Sequence, residues 1–175
     1  MIVTCGGEPA SGKSTLAKNL AGELGFKHVS AGQVMREMAA ERGLDILEFS
    51  KLAESDPSID KLIDERQKEE ASGDCVVDGR LSRYFLDPDV SIWLTCPLKE
   101  RASRALGRGE SHASLDDAVD ALSVREDSEV ARYREYYGID LRDLRVYDLV
   151  LNTGLFGKKQ MTELALFAIR ASGKI

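Results

Sequence analysis

Residues 6–15 read GGEPASGKST, and this stretch decides the fold. Gly7, Gly12, Lys13 and Ser14 fit G-x-x-x-x-G-K-[ST], the spacing of a loop that wraps phosphates. The pattern carries weight only between a strand and a helix, and both flanks comply. Residues 1–5 (MIVTC) are apolar and β-branched, as a buried parallel strand should be. After Ser14, apolar residues recur at Leu16, Ala17, Leu20, Ala21 and Leu24, a helical stripe that Gly25 closes as a C′ residue. The expected phosphate loop therefore comprises Gly7, Glu8, Pro9, Ala10, Ser11, Gly12, Lys13, Ser14 and Thr15. Its successive N–H groups and the helix dipole would cradle a β-phosphate. Lys13 would reach the β/γ oxygens, and the Ser14 hydroxyl would ligate Mg²⁺. A carboxylate beside phosphates is unfavourable, so the Glu8 side chain is expected to point to solvent.

Outward from this loop, strands and helices alternate, which implies a five-stranded parallel sheet with helices on both faces, an α/β class. The expected strands are residues 2–5, 26–29, 75–78 (CVVD), 90–94 (VSIWL) and 148–152 (DLVLN), with a closing helix at about 159–171 whose Leu164, Phe167 and Ala168 share one face. Two helical insertions interrupt the sheet. Residues 33–72 read as three short helices, with Asp45 and Glu48 as a capping box for the second and Asp56-Pro57 as N-cap and N1 of the third. A helix around Leu98, Ala102, Ala105 and Leu106 comes next. A break at GRGES and a long helix from Ser114, with Asp117, to Tyr137 and Gly138 follow it.

The 175 residues suffice for one core, and 43% hydrophobic content suits a globular chain. No apolar run reaches the roughly 20 residues of a membrane span, and a strand starting at residue 2 leaves no room for a signal peptide. Cys5, Cys75 and Cys96 show no metal or redox spacing and read as small buried hydrophobes in a reducing cytoplasm. A net charge of −6 argues against nucleic acid as partner. Ten of the fourteen arginines lie between Arg80 and Arg145, beside thirteen carboxylates, so phosphate forks and simple surface pairing are both open.

Three further constellations lie at the expected ligand edge. Asp78, at the carboxyl end of the third strand, can hold Mg²⁺ opposite Ser14, directly or through water. Gly79 lets the chain pass close to a ligand, and Arg80 points into the same crevice. Ser30, Gly32 and Arg36 follow the second strand, and Arg36 with Arg80 could clamp one phosphate. Arg125 and Arg132, seven apart, share a helical face, with Arg108 in the loop before it. They could close over a polyphosphate, or the helix could be solvated, since Glu126, Asp127, Glu129 and Glu135 interleave. Asp60, Asp64 and Gln67 share a face that could pair with a pyrimidine amino group, with a solvent face as the preferred reading.

No N-K-x-D guanine-reading motif occurs, and neither His28 nor His112 sits in a hydrolytic pattern. No base stands out to activate an alcohol or water. A phosphate acceptor needs none, because its second ionisation lies near pH ~6 and its oxygen is already nucleophilic. The remaining task is to bring two polyanions together, for which arginines, Lys13 and Mg²⁺ are suited.

These segments resemble the P-loop nucleoside monophosphate kinases, members of the P-loop NTPase class, and most closely the short archaeal type of cytidylate kinase. GGEPASGKST, FKHVSAGQVMRE, IDERQKEEASGDCVVDGR, REDSEVARYREYYGID and YDLVLNT carry the likeness in order from residue 1 to about 153. The resemblance implies a single domain with a core (1–30, 73–106, 138–175), an acceptor-binding insertion (31–72) and a lid (about 107–135). It implies MgATP as donor and CMP, dCMP or UMP as acceptor, handled by a cytoplasmic monomer without nucleic-acid or membrane partners. Lys13, Arg80, Arg108, Arg125 and Arg132 would be catalytic. Ser30, Gly32, Arg36 and Arg80 would bind the acceptor, Ser14 and Asp78 the metal, and Asn152 and Thr153 would adjoin the donor adenine. Glu8, where a small or apolar residue is usual, and Arg83, at a position uncharged in the archaeal pattern, depart from it; Arg83 could touch the acceptor or merely sit on the surface. Another small-molecule kinase, an adenylate kinase, or an ATPase of the same fold acting in assembly or regulation are the alternatives.

Overall fold

A computed structural model describes residues 1–44, 46–108 and 112–175. Strand β1 (Ile2–Gly7) lies at the centre of a parallel sheet, with β2 (Lys27–Ser30), β3 (Cys75–Asp78), β4 (Val90–Thr95) and β5 (Leu149–Asn152) in the order β2-β3-β1-β4-β5. Val3, Thr4 and Cys5 are successive and all inaccessible, so both faces of β1 are covered. The covering follows from the connections: α1 (Lys13–Leu24), α6 (Leu98–Leu106), α7 (Leu115–Tyr137) and α8 (Lys158–Ala171) are crossovers or packed on them. The chain leaves β1 toward β2 on one side and reaches β4 on the other. A crevice therefore opens beyond the carboxyl end of β1, where such sheets bind ligands.

The insertion between β2 and β3 is α2 (Ala31–Glu41), α3 (Ile46–Ser55) and α4 (Pro57–Glu70), the three helices expected. It has its own apolar cluster of Val34, Met38, Ala39, Phe49, Ala53, Ile59 and Ile63, separate from the main core around Val3, Leu20, Ile92 and Leu94. The Asp56 carboxylate accepts from the Ser58 N–H at 2.9 Å and caps α4, with Pro57 at its first position. Asp45, the first member of the box read with Glu48, lies outside the described residues, and Glu48 sits in the first turn of α3. A short helix α5 (Ser82–Phe85) and a 3-10 turn at Leu144–Val146 complete the chain. The three cysteines are free and buried.

On α8 the face shared by Leu164 and Phe167 is the outer one. Leu164 and Phe167 are exposed, Phe167 at 73%, while Met161, Thr162, Ala165, Leu166 and Ile169 face inward. Both stripes satisfy a helical period. The inward one carries the small Ala165 and lets Thr162 accept a hydrogen bond from the Asn19 side chain on α1 at 3.2 Å. No described helix is long and apolar enough to cross a membrane.

Candidate active site

Between β1 and α1 the chain needs conformations that few residues adopt. Gly12 has φ 100° and Ala10 φ 59°, and a Cβ on Gly7 would stand 2.8 Å from the Leu94 carbonyl oxygen. Gly12 is the N-cap of α1, so no side chain caps that helix, and no acidic residue sits in its first turn. Helices α4 and α7 both have side-chain caps, from Asp56 and Ser114. The first amides of α1 are left for another acceptor, which is the arrangement an anion requires.

Glu8 does not point to solvent as expected. Its carboxylate accepts from the Cys96 N–H at 2.9 Å and faces Arg101 Nε at 3.3 Å. These partners hold the half-buried side chain away from the space inside the loop. Arg101, 3% exposed, donates to the carbonyls of Cys96 (2.8 Å) and Pro9 (3.3 Å) and pairs with Glu126 of α7. It braces the loop from behind. Sequence reasoning missed it, although an arginine at the inward position between Leu98 and Ala105 of an amphipathic helix was a signal. Arg104, also missed, donates to the Ser11 carbonyl (3.3 Å) and to Thr153 Oγ1 (2.9 Å) and carbonyl oxygen (2.7 Å). Thr153 Oγ1 in turn donates to the Ser11 carbonyl at 2.7 Å.

Beside the loop lies a cavity of about 410 Å³, lined among others by Gly12, Thr15, Arg104, Arg108, Thr153 and Phe156. Arg108 is exposed there, its Nε donating to the Arg104 carbonyl at 3.3 Å. Asn152 instead turns the chain, accepting from the Gly154 N–H at 2.9 Å.

On the other side, parallel register sets Ser30 opposite Asp78. The Ser30 hydroxyl donates to Asp78 Oδ1 at 3.0 Å, and His28 Nε2 meets Oδ2 at 2.8 Å. His28 was not singled out from sequence, because only the register aligns it with the third strand. With both oxygens of Asp78 engaged, this carboxylate would reach a metal through water. The exposed Ser14 hydroxyl and this carboxylate are hard oxygen donors and fit Mg²⁺, which takes few protein ligands beside water and phosphate oxygens.

Burial and the nearby Arg80 push the Lys13 ammonium down to about 7, against the pull of Asp78, with Arg125 and Arg108 adding to the lowering. Arg80 is lowered to about 10, by burial first, and stays cationic at neutral pH. Its Nη1 pairs with Glu129 of α7, and its Nη2 is buried without a hydrogen-bond partner among the described residues. Arg125 Nε donates to Glu129 Oε1 at 2.9 Å. Arg132 faces a different partner, Asp60 Oδ2 of α4 at 3.2 Å, and stacks on the Tyr133 ring. Arg36 is exposed on α2, its guanidinium folded back beside Gly32, six residues beyond the end of β2. Arg83 is turned away, its Nε donating to the Val146 carbonyl at 3.1 Å.

The face of Asp60, Asp64 and Gln67 is not the solvent face preferred from sequence. Asp60 and Gln67 are 8% and 2% exposed. Gln67 donates to the Asp78 carbonyl and accepts from the Ser82 hydroxyl, and the Tyr137 hydroxyl reaches Asp64 at 3.3 Å. Burial, with Asp60 beside it, raises the Asp64 carboxyl to about 7. Ile59 and Ile63 give one side of α4 to the apolar cluster of the insertion, and the polar side finds its partners in Arg132, Tyr137 and Ser82.

Similarity to known proteins agrees with this geometry. The cytidylate kinase-like family pattern matches residues 2–155. A protein named cytidylate kinase from Methanothrix thermoacetophila is 44% identical over 172 residues, 98% of this chain and 99% of that one. Another of that name from Methanocella arvoryzae is 44% identical, covering 97% of each. Among solved structures, shikimate kinase from Acinetobacter baumannii in complex with shikimate superposes with a TM-score of 0.63 at 18% identity, covering 99% of this chain and 94% of that one. At that identity the likeness is one of fold. Since the sequence match runs from the first strand past the end of the fifth, the chain belongs to the cytidylate kinase-like family.

Proposed function

We propose that this protein transfers the γ-phosphoryl group of MgATP to CMP, with dCMP or UMP as further acceptors, giving the diphosphate and ADP. The observation that carries this is the cation array at one sheet edge. The uncapped end of α1 with Lys13 forms one anion site, and Arg80, buried with an unused donor, offers a second beside it. A nucleotide switch needs the first site only, and a phosphoryl transfer between two phosphates needs both. Relatives at 44% identity carry the name cytidylate kinase, which supports the choice of acceptor.

Residues 7–15 receive the donor triphosphate, and the cavity under Arg104, Thr153 and Phe156 takes its adenosine. The insertion of residues 31–72 covers the acceptor, with Ser30, Gly32, Arg36 and Arg80 around its phosphate. Arg108, Arg125 and Arg132 belong to a lid at about 107–135 that closes and excludes water. Ser14 and, through water, Asp78 would hold Mg²⁺, which would supply positive charge against that of the phosphates. The acceptor phosphate oxygen then attacks in line, so no general base is required. The protein acts as a monomer on small nucleotides. Its net charge of −6 supports the absence of a nucleic-acid partner, and three buried free thiols suit a reducing cytoplasm.

A coupled assay for ADP, with MgATP and each nucleoside monophosphate in turn, tests this. Turnover with CMP well above that with AMP is expected; ATP hydrolysis indifferent to every monophosphate overturns it. Arg132→Ala should lower kcat by about 10² or more, in the manner of transition-state arginines, while ATP affinity changes little. Unchanged turnover removes Arg132 from the mechanism.

A further inference from the structure

Helix α7 turns Glu126 and Glu129 toward the cleft, three residues apart on one face. Glu129 is only 7% exposed, although the acidic spacing in the sequence is equally compatible with a solvated face. Its two oxygens are divided between two arginines on different elements. Oε1 accepts from Arg125 Nε at 2.9 Å, and Oε2 pairs with Arg80 Nη1. Each arginine keeps donors in reserve: Arg80 Nη2 is buried without a hydrogen-bond partner among the described residues, and the Arg125 side chain is 61% exposed.

Two guanidinium groups beside Lys13 repel one another, and a long arginine on a helix surface samples many rotamers. A single carboxylate between them offsets the repulsion and fixes both rotamers. It leaves the pair with net positive charge and with unused donors, the Arg80 one buried in the cleft and those of Arg125 on its exposed side, for phosphate oxygens. The hold of α7 on the rest of the molecule does not depend on this carboxylate. Leu122 and Ala118 pack on α6 before it, and Tyr133 joins Leu81, Trp93, Leu141 and Tyr147 after it.

We propose that Glu129 is a positioning residue for phosphoryl transfer, whose carboxylate brackets Arg80 and Arg125 so that both present their unused donors to the phosphates at fixed orientation. This rests on the kinase function proposed above. Preorganised donors act where charge develops in the transition state, so the bracket is felt in kcat more than in ground-state binding.

The test compares wild type, Glu129→Gln, Glu129→Asp, Arg125→Ala and the Arg125→Ala/Glu129→Gln double variant. It measures kcat and the KM for CMP at saturating MgATP, ATP affinity by calorimetry without acceptor, and Tm. Glu129→Gln is expected to lower kcat about tenfold or more, with ATP affinity within about threefold of wild type. The loss should be several-fold smaller in the Arg125→Ala background, where the bracket has one arm less to hold. A role confined to holding α7 would lower Tm and give the same loss in both backgrounds, which overturns the proposal. So does a Glu129→Gln enzyme with kcat within twofold of wild type. If Glu129→Gln does not fold, Glu129→Asp decides. It keeps the charge on a stem one methylene shorter, and a several-fold fall in kcat at unchanged Tm supports the bracket, whereas wild-type kcat overturns it. A wild type inactive on every monophosphate overturns the kinase function and this proposal together, while an active wild type with an indifferent Glu129→Gln overturns this proposal alone.

Discussion

Lys13 is held in a buried, cationic neighbourhood that makes its amine a weak base. Its ammonium is lowered to about 7 by burial, then by Arg80, and Asp78 only partly counters them. On the function proposed above, donor phosphates would supply the missing negative charge and raise the pKa in the complex. Between the two values ATP binding therefore takes up a proton, and affinity falls as pH rises above about 7.5, by up to about tenfold per unit. Substrate phosphates are already ionised there, so they do not contribute. Calorimetry in two buffers of different ionisation enthalpy should find close to one proton taken up at pH 8. Zero uptake would show that the amine is already charged in the empty site. At this scale the phosphate loop was legible, because its glycines and lysine form a contiguous string. The Glu8 socket was not. Its partners Cys96 and Arg101 are some ninety residues away, and only the pairing of β1 with β4 brings them near.

Helix α7 shows how far an element can be read. Its start, end and cap were legible. The Ser114 hydroxyl accepts from the Asp117 N–H at 3.1 Å, and Gly138 closes the helix in the left-handed conformation. Ser114→Ala should cost about 1 kcal/mol, visible as a fall in Tm of roughly 2–4 °C for a chain of this size. A Tm unchanged within error would mean that water caps that end equally well. The inward face of α7 was not legible, because charged residues alternate all around it and helical spacing alone cannot say which carboxylates find arginines. The same ambiguity left the buried side of α8 unread, where two stripes meet the helical period and small-residue packing against α1 selects one. On α4 it hid Asp60 and Gln67, whose polar chemistry suggests solvent and whose neighbours in space are Arg132, Ser82 and the Asp78 carbonyl.

Across the whole molecule, the helical insertion carries an apolar cluster of its own, apart from the main core. Phe49, wholly buried, is the largest side chain of that cluster, with Arg42 over its ring at 5.4 Å. Phe49→Ala should destabilise by about 3–5 kcal/mol, and the loss should be felt locally. Hydrogen exchange is expected to speed in α2, α3 and α4 while β1 and β4 keep their protection. The KM for CMP should rise more than that for ATP. Equal loss of protection in β1 would show that insertion and sheet unfold as one. The sequence by itself determined the phosphate loop, the order of strands and longer helices, and the caps of α4 and α7. All of these depend on residues close together in the chain, through dihedral preference, period and capping. Only the tertiary structure decided which charges meet: Glu129 with Arg80, Arg101 with Glu8 and Glu126, Asp60 with Arg132, His28 with Asp78. Ion pairing depends on distance in space and on loss of water, and neither quantity is fixed until the sheet has set its register.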